Sequence, residues 1–201
     1  MPAGDQSWCP ETFDRLYAAD PDPWRFATSP YEREKYATSL AALGDRRFAA
    51  AFEVGCSIGV FTRLLAPRCE TLLAVDVAEA ALTAARRRCA GLPGVRIERL
   101  RIPDEWPDGK FDLIVLSEVL YFLGSADIAR TARRVATALS PGGLVLLVNW
   151  TGPTDTPCSG NEATECFIAA AAPELRSSQR GNGATYRLDS LGQTSTQASV
   201  S

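Results

Sequence analysis

Glu53, Gly55 and Gly59 stand in the order Glu-x-Gly-x-x-x-Gly, and Asp76 follows Gly55 by 21 residues at the end of the next apolar run. Glycines at that spacing allow a tight strand-to-helix turn, here completed by Cys56 and Ser57, whose backbone comes close to a ligand. A carboxylate about twenty residues further on, at the tip of the next strand, accepts hydrogen bonds from two ribose hydroxyls. Val77 follows it. A dinucleotide site would read Gly-x-Gly-x-x-Gly, because the extra glycines bring pyrophosphate to a helix N-terminus. In this chain Ser57 takes the second glycine's place, and Glu53 would repel a phosphate. The same acid accepts hydrogen bonds from an ammonium, directly or through water. These residues ask for a ligand with a ribose, an ammonium group and no phosphate.

S-adenosylmethionine fits that description, and its chemistry is methyl transfer. Two plainer uses stay open: a strand-to-helix turn without a ligand also employs such glycines, and Asp76 also suits a helix N-cap. A second group follows the fourth apolar run, Ser117-Glu118-Val119-Leu120-Tyr121-Phe122. Glu118 and Tyr121 are the polar groups on an apolar stretch, and the end of that strand adjoins strand one. Either they border the acceptor of the methyl group, or Glu118 pairs locally and Tyr121 packs in the core. The chain has no histidine, which removes the commonest general base and metal ligand. Its six cysteines include no Cys-x-x-Cys pair, so no metal site is expected and the thiols read as reduced. Tyr31 and Lys35 spell the Tyr-x-x-x-Lys of short-chain dehydrogenases, but they precede the nucleotide motif instead of following it.

The elements that must position these residues alternate between strand and helix. Strands are expected over 48–54, 71–75, 95–100, 111–116 and 144–148, and helices over 30–43, 60–65, 78–89 and 126–139. Residues 102–110 read as loop and 140–143 as a turn, where Pro141 sets the bend and glycine supplies positive φ. The run Phe111-Asp112-Leu113-Ile114-Val115-Leu116 suits a central parallel strand buried on both faces. Past Trp150 a helix is expected over 162–171, then two short strands, 175–179 and 185–188, around Gly181-Asn182-Gly183. This order predicts a parallel sheet covered on both faces with right-handed crossovers. Residues 1–45 read as an aromatic-rich cap or lid, 46–189 as the ligand-binding domain, and 190–201 as a disordered tail.

With 201 residues, 46% of them apolar, the chain suits one domain with a sizeable core. No apolar run is long enough to span a membrane and no leader pattern opens the sequence, so a cytoplasmic protein is expected. A net charge of −3 argues against nucleic acid as the main partner. Arg86-Arg87-Arg88 reads as the solvated end of a helix.

From Phe48 to Val148 the chain resembles class I S-adenosylmethionine-dependent methyltransferases, in Glu53-x-Gly55-x-x-x-Gly59, Asp76, Phe111-Asp112 and Leu139-x-Pro141-Gly142-Gly143. Asp22-Pro23-Trp24-Arg25, Tyr31-Glu32-Arg33-Glu34, Gly55-Cys56, Phe61-Thr62, Leu65-Ala66-Pro67, Phe111 to Val115 and Glu118-Val119-Leu120-Tyr121 are similar to the nodulation protein S family. Those enzymes N-methylate the free glucosamine end of a deacetylated chitooligosaccharide. The resemblance implies an α/β, Rossmann-like class I methyltransferase fold, a mostly parallel seven-stranded sheet flanked by helices. It implies S-adenosylmethionine as cofactor and a small-molecule or oligosaccharide acceptor. Cofactor contacts are then expected from Trp24, Arg33, Glu53, Gly55, Cys56, Ser57, Gly59, Asp76, Val77, Arg101, Ile102 and Ser117. Arg33 either forks onto the cofactor's carboxylate or lies on the helix surface beside a glutamate. Arg101-Ile102-Pro103 stands where many class I enzymes carry an acid, so adenine contacts there are expected from backbone and apolar atoms. Glu118, with Tyr121 beside it, is expected to orient the acceptor's amine, and Trp24, Phe26 and Tyr31 to close over the site. The same residues leave room for a methyltransferase of another small metabolite, or for a cofactor-binding protein without catalysis.

Overall fold

A computed structural model of the chain describes residues 6–172 and 174–193. Seven strands form one sheet: β1 (Phe48–Val54), β2 (Cys69–Asp76), β3 (Val95–Arg99), β4 (Phe111–Ser117), β5 (Leu139–Trp150), β6 (Leu175–Asn182) and β7 (Tyr186–Gln193). Their order is β3-β2-β1-β4-β5-β7-β6. The first five pair in parallel, and β7 runs antiparallel between β5 and β6. The α/β class I architecture expected from the sequence is thus the observed one. Among the described residues six α-helices cover the sheet: α1 (Pro10–Ala19), α2 (Pro30–Ala42), α3 (Val60–Leu65), α4 (Glu79–Arg88), α5 (Ser125–Ala138) and α6 (Gly160–Ala171).

The core has two layers because the central strands are apolar on both faces. Phe52, Ile114, Leu116, Val145 and Leu147 pack under α5 and α6, while Phe48, Leu113, Val115, Leu146 and Val148 pack on the opposite face. Fully burying each such side chain contributes roughly 1.5–3 kcal/mol. Asp112 interrupts this run for a reason. Its carboxylate accepts the amides of Ala49 and Ala50 at 2.8 and 3.0 Å, ahead of the β1–β4 ladder that begins at Ala51↔Leu113.

Four local expectations change in three dimensions. Residues 140–143 form no separate turn; they bulge inside β5, whose pairing with β4 jumps from Phe111↔Leu139 to Leu113↔Leu144. Pro141 has no N–H for the ladder and Gly142 sits at φ 72°. Residues 10–19, read only as part of the cap and given no helix, form helix α1, which Pro10 opens at its first turn. The hairpin turn falls after Asn182, since β6 extends through it and Gly183 N–H donates to Tyr186 O. Ser190 to Gln193, assigned to the tail by composition, belong to β7 because their backbone completes the β5 and β6 ladders. The rest of that segment, 194–201, lies outside the described residues. No helix among the described residues is long and apolar enough to cross a membrane.

Gly94 closes the turn into β3 against the start of β2. Its φ is +73°, its carbonyl accepts Leu72 N–H, and a Cβ there would lie 2.1 Å from Glu70 O. Gly91 has φ +79° with nothing within 4 Å of such a Cβ. Gly91→Ala is therefore expected to cost about 1 kcal/mol of left-handed strain. Gly94→Ala should cost about 2–4 kcal/mol, because a clash with backbone adds to that strain. Urea unfolding checks this, and equal losses would mean that the β2 edge yields freely.

Candidate functional site

A cleft of about 470 Å³ lies where β1, β2 and β4 end, at the place where the strand order reverses around β1. Open parallel sheets bind ligands at that reversal. The turn after β1 forms its floor. Gly55 sits at φ +79°, and a Cβ on it would lie 2.2 Å from Val119 Cγ2 in the loop after β4, so the close approach of the two strand ends requires glycine. Ser57 and Glu118, both lining the cleft, hold left-handed φ values of 49° and 58°. Such conformations cost of order 1–3 kcal/mol each and gather at functional sites. Gly59 does not line the cleft. It caps α3 at φ 77° with Ala85 behind it, where a Cβ would sit 2.9 Å from Ala85 Cα.

The backbone amides of this turn are spent inside the protein. Gly55 and Cys56 N–H both donate to Val75 O, at 2.8 and 2.9 Å, and Gly59 N–H donates to Cys56 O. Ser57 N–H and Ala78 N–H donate to the two carboxylate oxygens of Asp76, at 2.9 and 3.0 Å. Asp76 is thereby held rigidly at the tip of β2 with lone pairs to spare. Burial raises its pKa, the backbone hydrogen bonds only partly opposing it. Glu53, at 2% exposure, has Oε2 without a protein partner. Burial pushes its pKa up to about 7. The site thus presents buried acceptor oxygens, which fits a ligand bearing hydroxyls and an ammonium and opposes a phosphate. Tyr17 of α1 reaches over the turn, its hydroxyl 2.5 Å from Ser57 Oγ, and Trp24 packs edge-on against its ring at 5.6 Å. Val77, Arg101, Ile102 and Ser117 complete this wall of the cleft together with Cys56.

The other half is built on α2. Ser29 caps the helix by accepting Glu32 N–H, and Glu32, Lys35, Tyr36 and Ser39 form its buried face. Lys35 is only 2% exposed, with Nζ 2.6 Å from Glu118 Oε1 and 3.0 Å from Glu32 Oε1. Burial lowers its pKa, but the two carboxylates outweigh this and the net shift is upward. Glu118 Oε2 accepts Tyr121 O–H at 2.5 Å and Trp150 N–H at 3.1 Å. Burial and that carboxylate hold Tyr121 well above the usual phenol range, so it remains a donor. Glu118, expected to orient the acceptor with Tyr121 beside it, has both oxygens engaged by Lys35, Tyr121 and the Trp150 amide.

Arg33 lies elsewhere. It is exposed, donates to Thr28 O at 3.1 Å and does not line the cleft. The string from Asp22 to Arg25 is a turn: Asp22 accepts the amides of Phe26 and Ala27, Arg25 stands at φ 61° and pairs outside with Asp20, and Trp24 lines the cleft. Sequence reasoning missed Glu32, Lys35 and Tyr17. A signal existed for the first two, because residues 31, 32, 35, 36 and 39 recur at helical spacing with polar or aromatic side chains. The Tyr31/Lys35 pair set aside as a dehydrogenase pattern does meet in space, Nζ lying 5.2 Å from the Tyr31 ring centre. No group of three or more metal-ligating side chains occurs among the described residues.

The family model of nodulation protein S (NodS) matches residues 11–149. Nodulation protein S of Rhizobium tropici is 37% identical over 135 residues, which are 66% of this chain and 56% of that protein. The chain thus spans little more than half the length of this curated relative. Among solved structures, N-methyltransferase NodS from Bradyrhizobium japonicum WM9 in complex with S-adenosyl-L-homocysteine superposes with a TM-score of 0.77 at 26% identity, covering 91% of this chain and 97% of that one. A putative methyltransferase from Pseudomonas syringae, 35% identical, matches with a TM-score of 0.69 over 80% of this chain and 97% of its own.

The pKa of Glu53 near 7, against 4.5 in a free chain, makes stability depend on pH. Between those values the native state holds a proton that the unfolded state has lost, so stability falls as pH rises from about 4.5 to 7 and levels off above. Glu53→Gln should flatten that slope by an amount on the order of 3 kcal/mol. Urea unfolding of both proteins at pH 5, 6, 7 and 8 measures it, and parallel curves would contradict the shift.

Proposed function

The chain belongs to the nodulation protein S family, and on that premise we propose that it is an S-adenosylmethionine-dependent N-methyltransferase acting on the free amine of a deacetylated chitooligosaccharide. Glu53 and Asp76 at the tips of adjacent strands carry this reading. One is a buried carboxylate with an unpartnered oxygen, the other a carboxylate locked by two amides. The cleft volume of about 470 Å³ lies in the range of small-molecule sites. Asp76 would hold the ribose hydroxyls and Glu53 the ammonium. Trp24, Cys56, Ser57, Val77, Arg101, Ile102 and Ser117 would line the remaining surface, with Gly55 and Gly59 shaping the turn. When bound, the cofactor supplies an electrophilic methyl group on a sulfonium.

The protein's part is alignment, exclusion of water and management of one proton. An amine attacks only through a free lone pair, so one N–H proton must leave the acceptor first. That bond breaks with its electron pair left on nitrogen, and the proton passes to a carboxylate of the Glu118 network. Without histidine, this network is the acid–base equipment on the acceptor side of the cleft, opposite Glu53 and Asp76. Tyr121 O–H and Trp150 N–H fix the Glu118 carboxylate, so no reorganisation is needed as positive charge grows on the acceptor nitrogen.

Calorimetry is expected to show S-adenosylhomocysteine binding with a micromolar constant, roughly −8 kcal/mol, and NAD not binding. Affinity should fall below about pH 7, where an ammonium ligand would first have to displace the proton on Glu53. Asp76→Ala should weaken binding by about 1–3 kcal/mol; unchanged affinity would remove the ribose role.

Turnover is tested by mass spectrometry after incubation with S-adenosylmethionine and either a deacetylated or a fully acetylated chitooligosaccharide. One added methyl group is expected on the deacetylated oligomer only. Modification of neither, with the cofactor bound, would reassign the enzyme to another small-molecule acceptor.

A further inference from the structure

Beside the cofactor half, the cleft wall holds a buried charge imbalance. Glu32 and Glu118 share one cation, Lys35, across contacts of 3.0 and 2.6 Å. The remaining titratable groups turned toward them, Tyr31, Tyr36 and Tyr121, are neutral phenols with pKa values raised by burial. Two carboxylates against one ammonium leave one negative charge unmatched. Glu32 itself is 6% exposed, and its Oε2 has no protein partner; neither has the Tyr31 hydroxyl one residue away, and both residues line the cleft. Burial raises the pKa of Glu32 even though Lys35 opposes it.

Buried ions cost free energy unless each is fully paired, and apolar packing of the same volume is commonly more stable. Unsatisfied buried acceptors add to that cost. A fold that keeps Glu32, Lys35 and Glu118 together at a cleft therefore holds an arrangement completed by a cationic ligand group. Lys35 prevents the two carboxylates from repelling each other apart, and the excess charge is left for the ligand.

We propose that the Glu32–Lys35–Glu118 cluster recognises the acceptor as an ammonium ion, with Glu32 supplying the charge that distinguishes an amine from a hydroxyl acceptor. Glu32 is thereby a specificity-determining residue, and Lys35 a positioning residue that acts through both carboxylates. This rests on the methyltransferase reading for its acceptor but not for its electrostatics, so the two can fail separately.

The test uses the whole chain loaded with S-adenosylhomocysteine and a sugar-free pair of probes, cyclohexylammonium and cyclohexanol, titrated by NMR. The wild-type complex is expected to bind the ammonium at least tenfold more tightly than the alcohol. Glu32→Gln should reduce that preference to threefold or less while S-adenosylhomocysteine still binds. Glu32→Asp, which keeps the charge, should retain it. If the glutamine variant no longer binds S-adenosylhomocysteine, the aspartate variant decides, and loss of the preference there overturns the proposal. Equal binding of the two probes by the wild type also overturns it. Failure of the wild type to bind S-adenosylhomocysteine overturns the methyltransferase reading instead. Preference for the ammonium without binding of a deacetylated chitooligosaccharide sinks only the sugar assignment.

Discussion

At the carboxyl end of β1 the backbone leaves the sheet through Gly55 at φ +79°, with Val119 so close that no Cβ fits between them. That contact sets the geometry of the cleft. It brings the ends of β1 and β4 together, and it presents Glu53 from one side and Glu118 from the other. The Val75 carbonyl then takes both the Gly55 and the Cys56 amide, which ties the turn to β2 and so to Asp76. Three carboxylates on three neighbouring strand ends are thereby oriented by one backbone reversal. Close packing makes this a discrete arrangement, not one that can be adjusted by degrees.

The cost of the arrangement is electrostatic. Glu53 is buried without a cation, so its proton affinity rises until it titrates near neutrality. Glu118 has a cation beside it, because Lys35, itself buried, reaches it from α2. The two halves of the cleft therefore solve the same problem differently. At Glu53 burial is met by no protein cation among the described residues, and Oε2 stays without a protein partner. On the α2 side one protein ammonium is shared between the carboxylates of Glu32 and Glu118. Strain at Ser57 and Glu118 adds to this, and the two-layered apolar core under the sheet is what offsets it.

The N-terminal helices serve this site more than the core. Tyr17 of α1 closes on Ser57, and Trp8 N–H donates to Phe122 O, so the segment before β1 is fastened to loops on both sides of the cleft. The aromatic contacts of Trp8, Phe13 and Trp24 with Phe122 continue the same fastening.

By itself the sequence determined the alternation of strands and helices in the first half, the glycine turn after β1 and the acid at the tip of β2. Those features are local: apolar runs, glycine conformations and a carboxylate at a set spacing act through their immediate neighbours. Asp76 and Glu53 were legible for that reason. Only the tertiary structure decided that Glu118 meets Lys35, since 83 residues separate them and a buried ion pair leaves no periodic mark. Helix α2 was expected, but the face it buries escaped notice for a related cause, because Glu32, Lys35 and Ser39 on it are polar and a search for apolar stripes passes over them. Arg33 shows the converse. Its residue type suited a carboxylate ligand, but its place on the turn of α2 points it to Thr28 and solvent, and helical phase relative to the sheet is fixed by packing alone.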